Sequence, residues 1–230
     1  MKNLKKVLPI FLVLIILFVG GCTKNPQNGD NGSETVVFHG KEFPLALSED
    51  IVIENAFLYN GEFPEDGSFS KAEDVFALKV KNTSDKDIQL VRIYVETDQS
   101  EYFFEITTLP AGRVLTVFEK SAQSITESEK IAEIKEENKV FFENKLSLHT
   151  SEFKIATMDK VLNIENISET DFSSDVYVYF KRVDANGDYF GGITFRSNAG
   201  KIKSNEFKQI PAPHFIKENS EVLFVDYAKQ

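Results

Sequence analysis

The most reactive side chain in the sequence occurs once. Cys22 is the only cysteine in 230 residues, so its thiol has no internal partner for a disulfide and needs another explanation. Hydroxyl nucleophiles have no recognisable setting: there is no Gly-x-Ser-x-Gly, and no Ser-x-x-Lys with its companion motifs. His39, His149 and His214 stand far apart, with no i, i+4 pair and no His-Glu-x-x-His. A zinc site would therefore need distant ligands to converge, and loop or surface positions are the expectation. Asp184-Ala185-Asn186-Gly187-Asp188 opens like a calcium loop, but Tyr189 stands where the sixth-position glycine belongs and the later glutamate is missing. A hairpin tip accounts for the same residues without a metal. Gly191-Gly192 stands alone between strand-like runs and reads as a bulge or tight bend, not a phosphate cradle. The 36 acidic residues are spread along the chain, so a glycosidase-type carboxylate pair would have to be assembled by the fold. The expectation is no catalytic residue, no metal site and no cofactor.

Cys22 takes its meaning from what precedes it. Residues 1–6 hold three lysines and no acid, and residues 7–19 form an uncharged, almost wholly apolar run. A basic end followed by a short apolar core is the layout of a secretory signal peptide. The run is shorter than the roughly 18–20 residues a helix needs to span the hydrocarbon layer. It ends in Val19-Gly20-Gly21-Cys22, which resembles the lipobox of bacterial lipoprotein signal peptides; Gly20, where Ala or Ser is more usual, is the one departure. The resemblance covers residues 1–22. It implies cleavage of residues 1–21, lipid on the Cys22 sulfur, and an extracytoplasmic, lipid-anchored location at the cell membrane of a bacterium. Two or more acyl chains give stable attachment where one does not.

Removing the three lysines of residues 1–21 leaves 23 basic residues against 36 acidic, a formal charge of −13. That sign disfavours nucleic acid and adsorption to anionic lipid, which both reward basic patches. The remaining length suits one large or two small domains. With 21 Phe and 7 Tyr there is enough apolar material for a core, so global disorder is not expected.

Residues 22–47 read as the lipidated cysteine and a flexible tether, rich in Asn, Gly and Pro at its start. Val36-Val37-Phe38 and Glu42-Phe43-Pro44-Leu45 suggest a short edge ribbon within it. Beyond, the pattern has period two. Phe76, Leu78 and Val80 alternate with Ala77, Lys79 and Lys81; Val91, Ile93 and Val95 with Arg92, Tyr94 and Glu96; Val176, Val178 and Phe180 with Tyr177, Tyr179 and Lys181. Such alternation marks strands with one buried face. Asn186-Gly187 between two such runs is a strong hairpin signal.

The two halves also match each other. Leu78-x-Val80-x-Asn82-x-Ser84 parallels Leu162-x-Ile164-x-Asn166-x-Ser168, and Asp87-Ile88 parallels Asp171-Phe172. Tyr102-Phe103-Phe104 answers Tyr189-Phe190, Ala111-Gly112 answers Ala199-Gly200, and Ile125, Glu127, Ile131 and Ile134 fall in register with Ile216, Glu218, Val222 and Val225. Two divergent copies follow, over 48–140 and 141–230. Residues 126–139 leave two readings open. They are good helix formers with a capping box at Thr126 and Glu129, but the repeat register matches them to a strand-like run and favours strand.

Many short strands in units of this length predict an all-β chain of two tandem immunoglobulin-like Greek-key β-sandwiches. The Leu-x-Val-x-Asn-x-Ser pattern, with its following Val/Ile/Tyr strand, resembles the FxLYD-type modules of bacterial surface lipoproteins. That resemblance implies extracytoplasmic binding or spacing without catalysis, with an envelope protein or polysaccharide as partner. A cell-wall-acting enzyme or accessory, and a transporter-associated receptor, are the alternatives. Tyr94, Tyr177 and Tyr179 alternate with the core faces and are the candidate partner surface, since tyrosine is favoured at interfaces; cross-strand or inter-domain packing is the competing role.

Overall fold

A computed structural model describes residues 35–228. The signal-like segment, Cys22 and the Asn/Gly-rich start of the tether lie outside the described residues. Among the described residues every helix or strand is a strand, which settles the all-β class.

The chain first forms β1 (Val36–Phe38), β2 (Lys41–Phe43) and β3 (Leu45–Ala46). β1 and β2 pair antiparallel across His39 and Gly40, both at positive φ, as the tightest hairpin turns require. Phe43 is 1% exposed, and Phe38 stacks on Phe76 at 5.6 Å. Residues 36–46, assigned to the tether from sequence, are therefore packed onto the body. Two aromatic side chains gain more by burial there than a mobile linker would keep.

Next come β4 (Ile51–Phe63), β5 (Ser70–Asn82), β6 (Ile88–Thr97), β7 (Glu101–Leu109), β8 (Val114–Phe118) and β9 (Ile131–Phe141). They are followed by β10 (Phe153–Met158), β11 (Val161–Asn166), β12 (Phe172–Val183), β13 (Tyr189–Ile202), β14 (Phe207–Pro211) and β15 (Ser220–Tyr227). In the first six, β4-β5-β8 pair as neighbours and β7-β6-β9 form a second sheet; in the last six, β10-β11-β14 and β13-β12-β15 repeat that order. Each half thus packs two layers of the same connectivity. Val91, Ile93 and Val95 are fully buried, each worth about 1.5–3 kcal/mol over exposure. Val176, Val178 and Phe180 do the same in the second core.

The repeat has a physical centre in each half. The Asn82 carboxamide donates to the Lys86 and Leu109 carbonyls at 2.8 and 2.9 Å, while its oxygen accepts from Ser84 N and Oγ. Asn166 donates to the Thr170 and Lys203 carbonyls at 2.7 and 3.0 Å and accepts from Ser168 N and Oγ. Both asparagines are fully buried, so the Asn-x-Ser pair is a pin between layers as well as a turn.

One part of the repeat alignment is corrected. Asn82 N donates to Arg113 O and Asn166 N to Glu206 O, each receiving residue closing a turn (Arg113 N to Pro110 O, Glu206 N to Lys203 O). The counterpart of Ala111-Gly112 is therefore Ser204-Asn205, not Ala199-Gly200. Gly112 and Asn205 share φ near +60 to +70° (71° and 58°); asparagine tolerates the left-handed region, so a Gly-to-Gly match was misleading.

Residues 131–141 are strand β9. Thr126 and Glu129 do pair, as a cap would, but they close a turn before that strand. The Glu129 carboxylate accepts from Thr126 N and Oγ1, Tyr102 Oη and Thr97 Oγ1 at 2.7–3.0 Å. Desolvation raises its pKa, but these hydrogen bonds outweigh it and hold the carboxyl at about 2.

The halves are joined within one sheet of seven strands, β15-β12-β13-β8-β5-β4-β3. The joint is a short parallel pairing, Tyr189 with Leu115 and Phe190 with Thr116, and the described residues belong to one compact unit. Ala77, expected on the wet face, is fully buried. It lies in a third apolar cluster with Phe63, Val75 and Phe118, against which Phe190 packs. A central strand covered on both faces loses its alternation.

Candidate binding groove

One face of β12 carries Tyr177, Tyr179 and Lys181, and their surroundings change steadily along it. Lys181 is fully buried. Opposite it, β12 and β13 slip register between Phe180 and Arg182, and the bulged residues of β13 turn three carbonyls inward. Lys181 Nζ donates to the Gly191, Gly192 and Ile193 oxygens at 3.1, 2.8 and 2.9 Å, one acceptor for each ammonium proton. Desolvation lowers its pKa to about 7, against the opposing pull of Glu65. Glu65, reaching across from the β4–β5 loop, accepts from Gly192 N at 2.6 Å and Phe118 N at 3.2 Å; burial raises its carboxyl pKa. The Gly191-Gly192 bulge anticipated from sequence is thus a socket for a lysine. A Cβ on Gly192 would collide with the Glu105 carbonyl of β7, so only glycine lets β7 approach this closely.

Further along, Tyr179 is half-buried and stacks on Phe224 of β15, ring centroids 4.3 Å apart and planes within 7°. It lines a groove of about 890 Å³ between the halves. At the far end Tyr177 lies beneath Arg196, whose guanidinium is 5.1 Å from the ring centroid. Tyr94 belongs to another sheet, where it packs on Phe103. The three tyrosines named from sequence are therefore not one surface: only Tyr179 lines the groove.

The remaining walls come from residues with no sequence signal of function. After β9 the chain crosses the groove as residues 142–149. Asp87 holds it there: its carbonyl accepts from Phe142 N, its carboxylate from Leu146 N at 3.0 Å, and Ser147 O accepts from Val225 N. Phe142 meets Phe224 edge-on at 5.5 Å. On the other wall, Thr107 and Thr194 bond to each other, and Thr107 Oγ1 donates to Gly192 O. That carbonyl also receives Lys181, so the groove wall is tied to the buried socket.

Two irregularities mark the groove. Gln89 sits in a register shift between β6 and β9. Thr108, lining the groove beside it in the ladder, has φ of 58° while 4% exposed. A buried β-branched residue in the left-handed region is strained, and such strain is typically kept where it serves a site. The side chains of Gln89, Asn144 and Asp226 line the groove and have no hydrogen-bond or ion-pair partner among the described residues. The strongly shifted groups Lys181, Glu65, Glu129, Tyr102 and Tyr189 are held by internal hydrogen bonds and do not line it.

Asp184–Asp188 forms the anticipated hairpin tip. Asp184 Oδ1 accepts from Asn186 N and Asp188 N, and Asp188 pairs with Lys79 across the halves at 2.9 Å. Among the described residues no three His, Cys, Asp or Glu side chains are grouped to hold a metal ion. Compared with known proteins, the chain matches no protein-family model and no curated sequence.

Proposed function

We propose that this protein is a bacterial surface lipoprotein, anchored by lipid on Cys22, that binds an envelope component through the groove between its halves without catalysing a reaction. The observation that carries the reading is Val19-Gly20-Gly21-Cys22 at the end of a short uncharged apolar run, holding the sole cysteine. The two six-strand units are read as immunoglobulin-like modules of the FxLYD type, supported by their shared strand order and their paired asparagine pins. Binding, not catalysis, is supported by where the perturbed groups lie. Active sites gather strongly shifted pKa values in a cleft, whereas here Lys181, Glu65, Glu129 and Tyr102 are held in hydrogen-bonded clusters away from the groove, and in the groove itself burial raises Tyr227. The groove also favours a receptor-like role for small ligands, although the two α/β lobes usual in transporter receptors are not the architecture of the described residues.

The test is the intact mass of the protein from membranes of an expressing bacterium, beside Cys22→Ala. A species beginning at residue 22 with added acyl mass, absent in the variant, is the expected result. Retention of residues 1–21 or release without modification would refute the anchor.

A further inference from the structure

We infer that the groove binds a neutral polysaccharide segment, stacking sugar rings on the aromatic wall and hydrogen-bonding their hydroxyls. The inference rests on the binding reading above but not on the anchor. A pyranose ring has C–H faces that suit aromatic rings and an edge of hydroxyls that both donate and accept. The groove presents both kinds of surface: Tyr179, backed by the buried Phe224, with Phe142 and Tyr227 as rings, and Gln89 and Asn144 as unpaired carboxamides. A carboxamide carries two donors and an acceptor, matching paired sugar hydroxyls, and Asp226 adds acceptors.

Size, charge and edges point the same way. About 890 Å³ lies within the usual range of ligand sites. The charged lining residues Glu143, Asp226 and Lys145 provide no cationic surplus, and the whole chain has a formal charge of −10; an anionic polymer would be repelled. A peptide joining by strand addition needs a free edge. In the groove that edge of β15 is already used, because Val225 N donates to Ser147 O at 2.9 Å. The register shift at Gln89 and the strained Thr108 keep the carboxamide side of the groove irregular, as bulges do when they re-aim a side chain.

The experiment is calorimetric titration of the full chain in detergent with glucose hexamer, N-acetylglucosamine hexamer and, as anionic control, galacturonate hexamer. Binding of at least one neutral hexamer and none of the galacturonate is expected. Gln89→Ala and Asn144→Ala alter exposed, unpartnered side chains, so the fold is retained, and each should weaken binding about five- to tenfold. Tyr179→Leu should weaken it at least as much, and Tyr94→Leu on the other sheet should leave it unchanged. Failure of both neutral hexamers to bind, preference for galacturonate, or affinity indifferent to Gln89, Asn144 and Tyr179 would overturn the inference. The lipid mass measurement is independent, so the groove could fail while the anchor stands.

Discussion

Asn82 and Asn166 perform the same task in the two halves, and the aspartates that follow them do not. Each asparagine is fully buried and ties the turn after its strand to the far side of its unit. Asp87 is 8% exposed, accepts from Ala111 N, and also fastens Leu146 of the segment that crosses the groove. Asp171 is exposed and accepts from Ser204 N alone. The repeat has thus kept the hydrogen bonds that close each unit and diverged where the units meet. Lys181 shows the same division. It is a buried ammonium of the second half, answered by the Glu65 carboxylate from the first.

The comparison can be broken or sharpened by substitution. Lys181→Met should have the largest effect, about 3–5 kcal/mol lost in urea denaturation, because the buried Glu65 carboxylate loses its opposing charge and the Gly191, Gly192 and Ile193 carbonyls lose a shared donor. Adding Glu65→Gln should restore part of the loss; no recovery would mean the two residues do not act together. Asn82→Ala and Asn166→Ala should each cost about 2–3 kcal/mol by the same measurement, since each leaves buried carbonyls unsatisfied. Values more than about 1 kcal/mol apart would show that the pins are not equivalent.

Asp87→Ala should cost about 1–3 kcal/mol and shift the amide resonances of residues 142–149. Asp171→Ala should cost under about 1 kcal/mol and leave them in place. A separate, pH-dependent effect concerns Glu129, whose folded pKa of about 2 lies below the ordinary 4.5. A depressed carboxylate contributes stability that is complete above about pH 4.5 and is lost as pH falls towards 2. Glu129→Gln should flatten that acid limb in far-UV circular dichroism; an unchanged acid transition would place its cause elsewhere.

Strand character was legible wherever one face met water. The alternation at 91–95 and 176–180 predicts the buried residues correctly, because a half-covered strand writes its environment into every second position. It failed at Ala77, where both faces are covered; across 223–225 both faces are covered too, and the run reads as strand from its strand-like composition, not from alternation. The Thr126–Glu129 signal was real chemistry in a different setting, since a carboxylate gathering backbone and hydroxyl donors closes a turn as well as it starts a helix. Of the candidate surface, Tyr179 was found by its strand position. Gln89 and Asn144 carried no signal, because exposed carboxamides are common and only convergence distinguishes them.

Composition, periodicity and the Asn-x-Ser repeat were sufficient by themselves for an all-β chain built from two related halves. They act locally, through propensity, alternation and turn chemistry that each segment carries alone. The sharing of one sheet by both halves, the lysine socket at the Gly191–Gly192 bulge and the groove were decided only by the tertiary structure. Each depends on contacts between residues some 74 to 127 positions apart, such as Leu115 with Tyr189 and Glu65 with Gly192, and no local pattern records which distant segment will arrive.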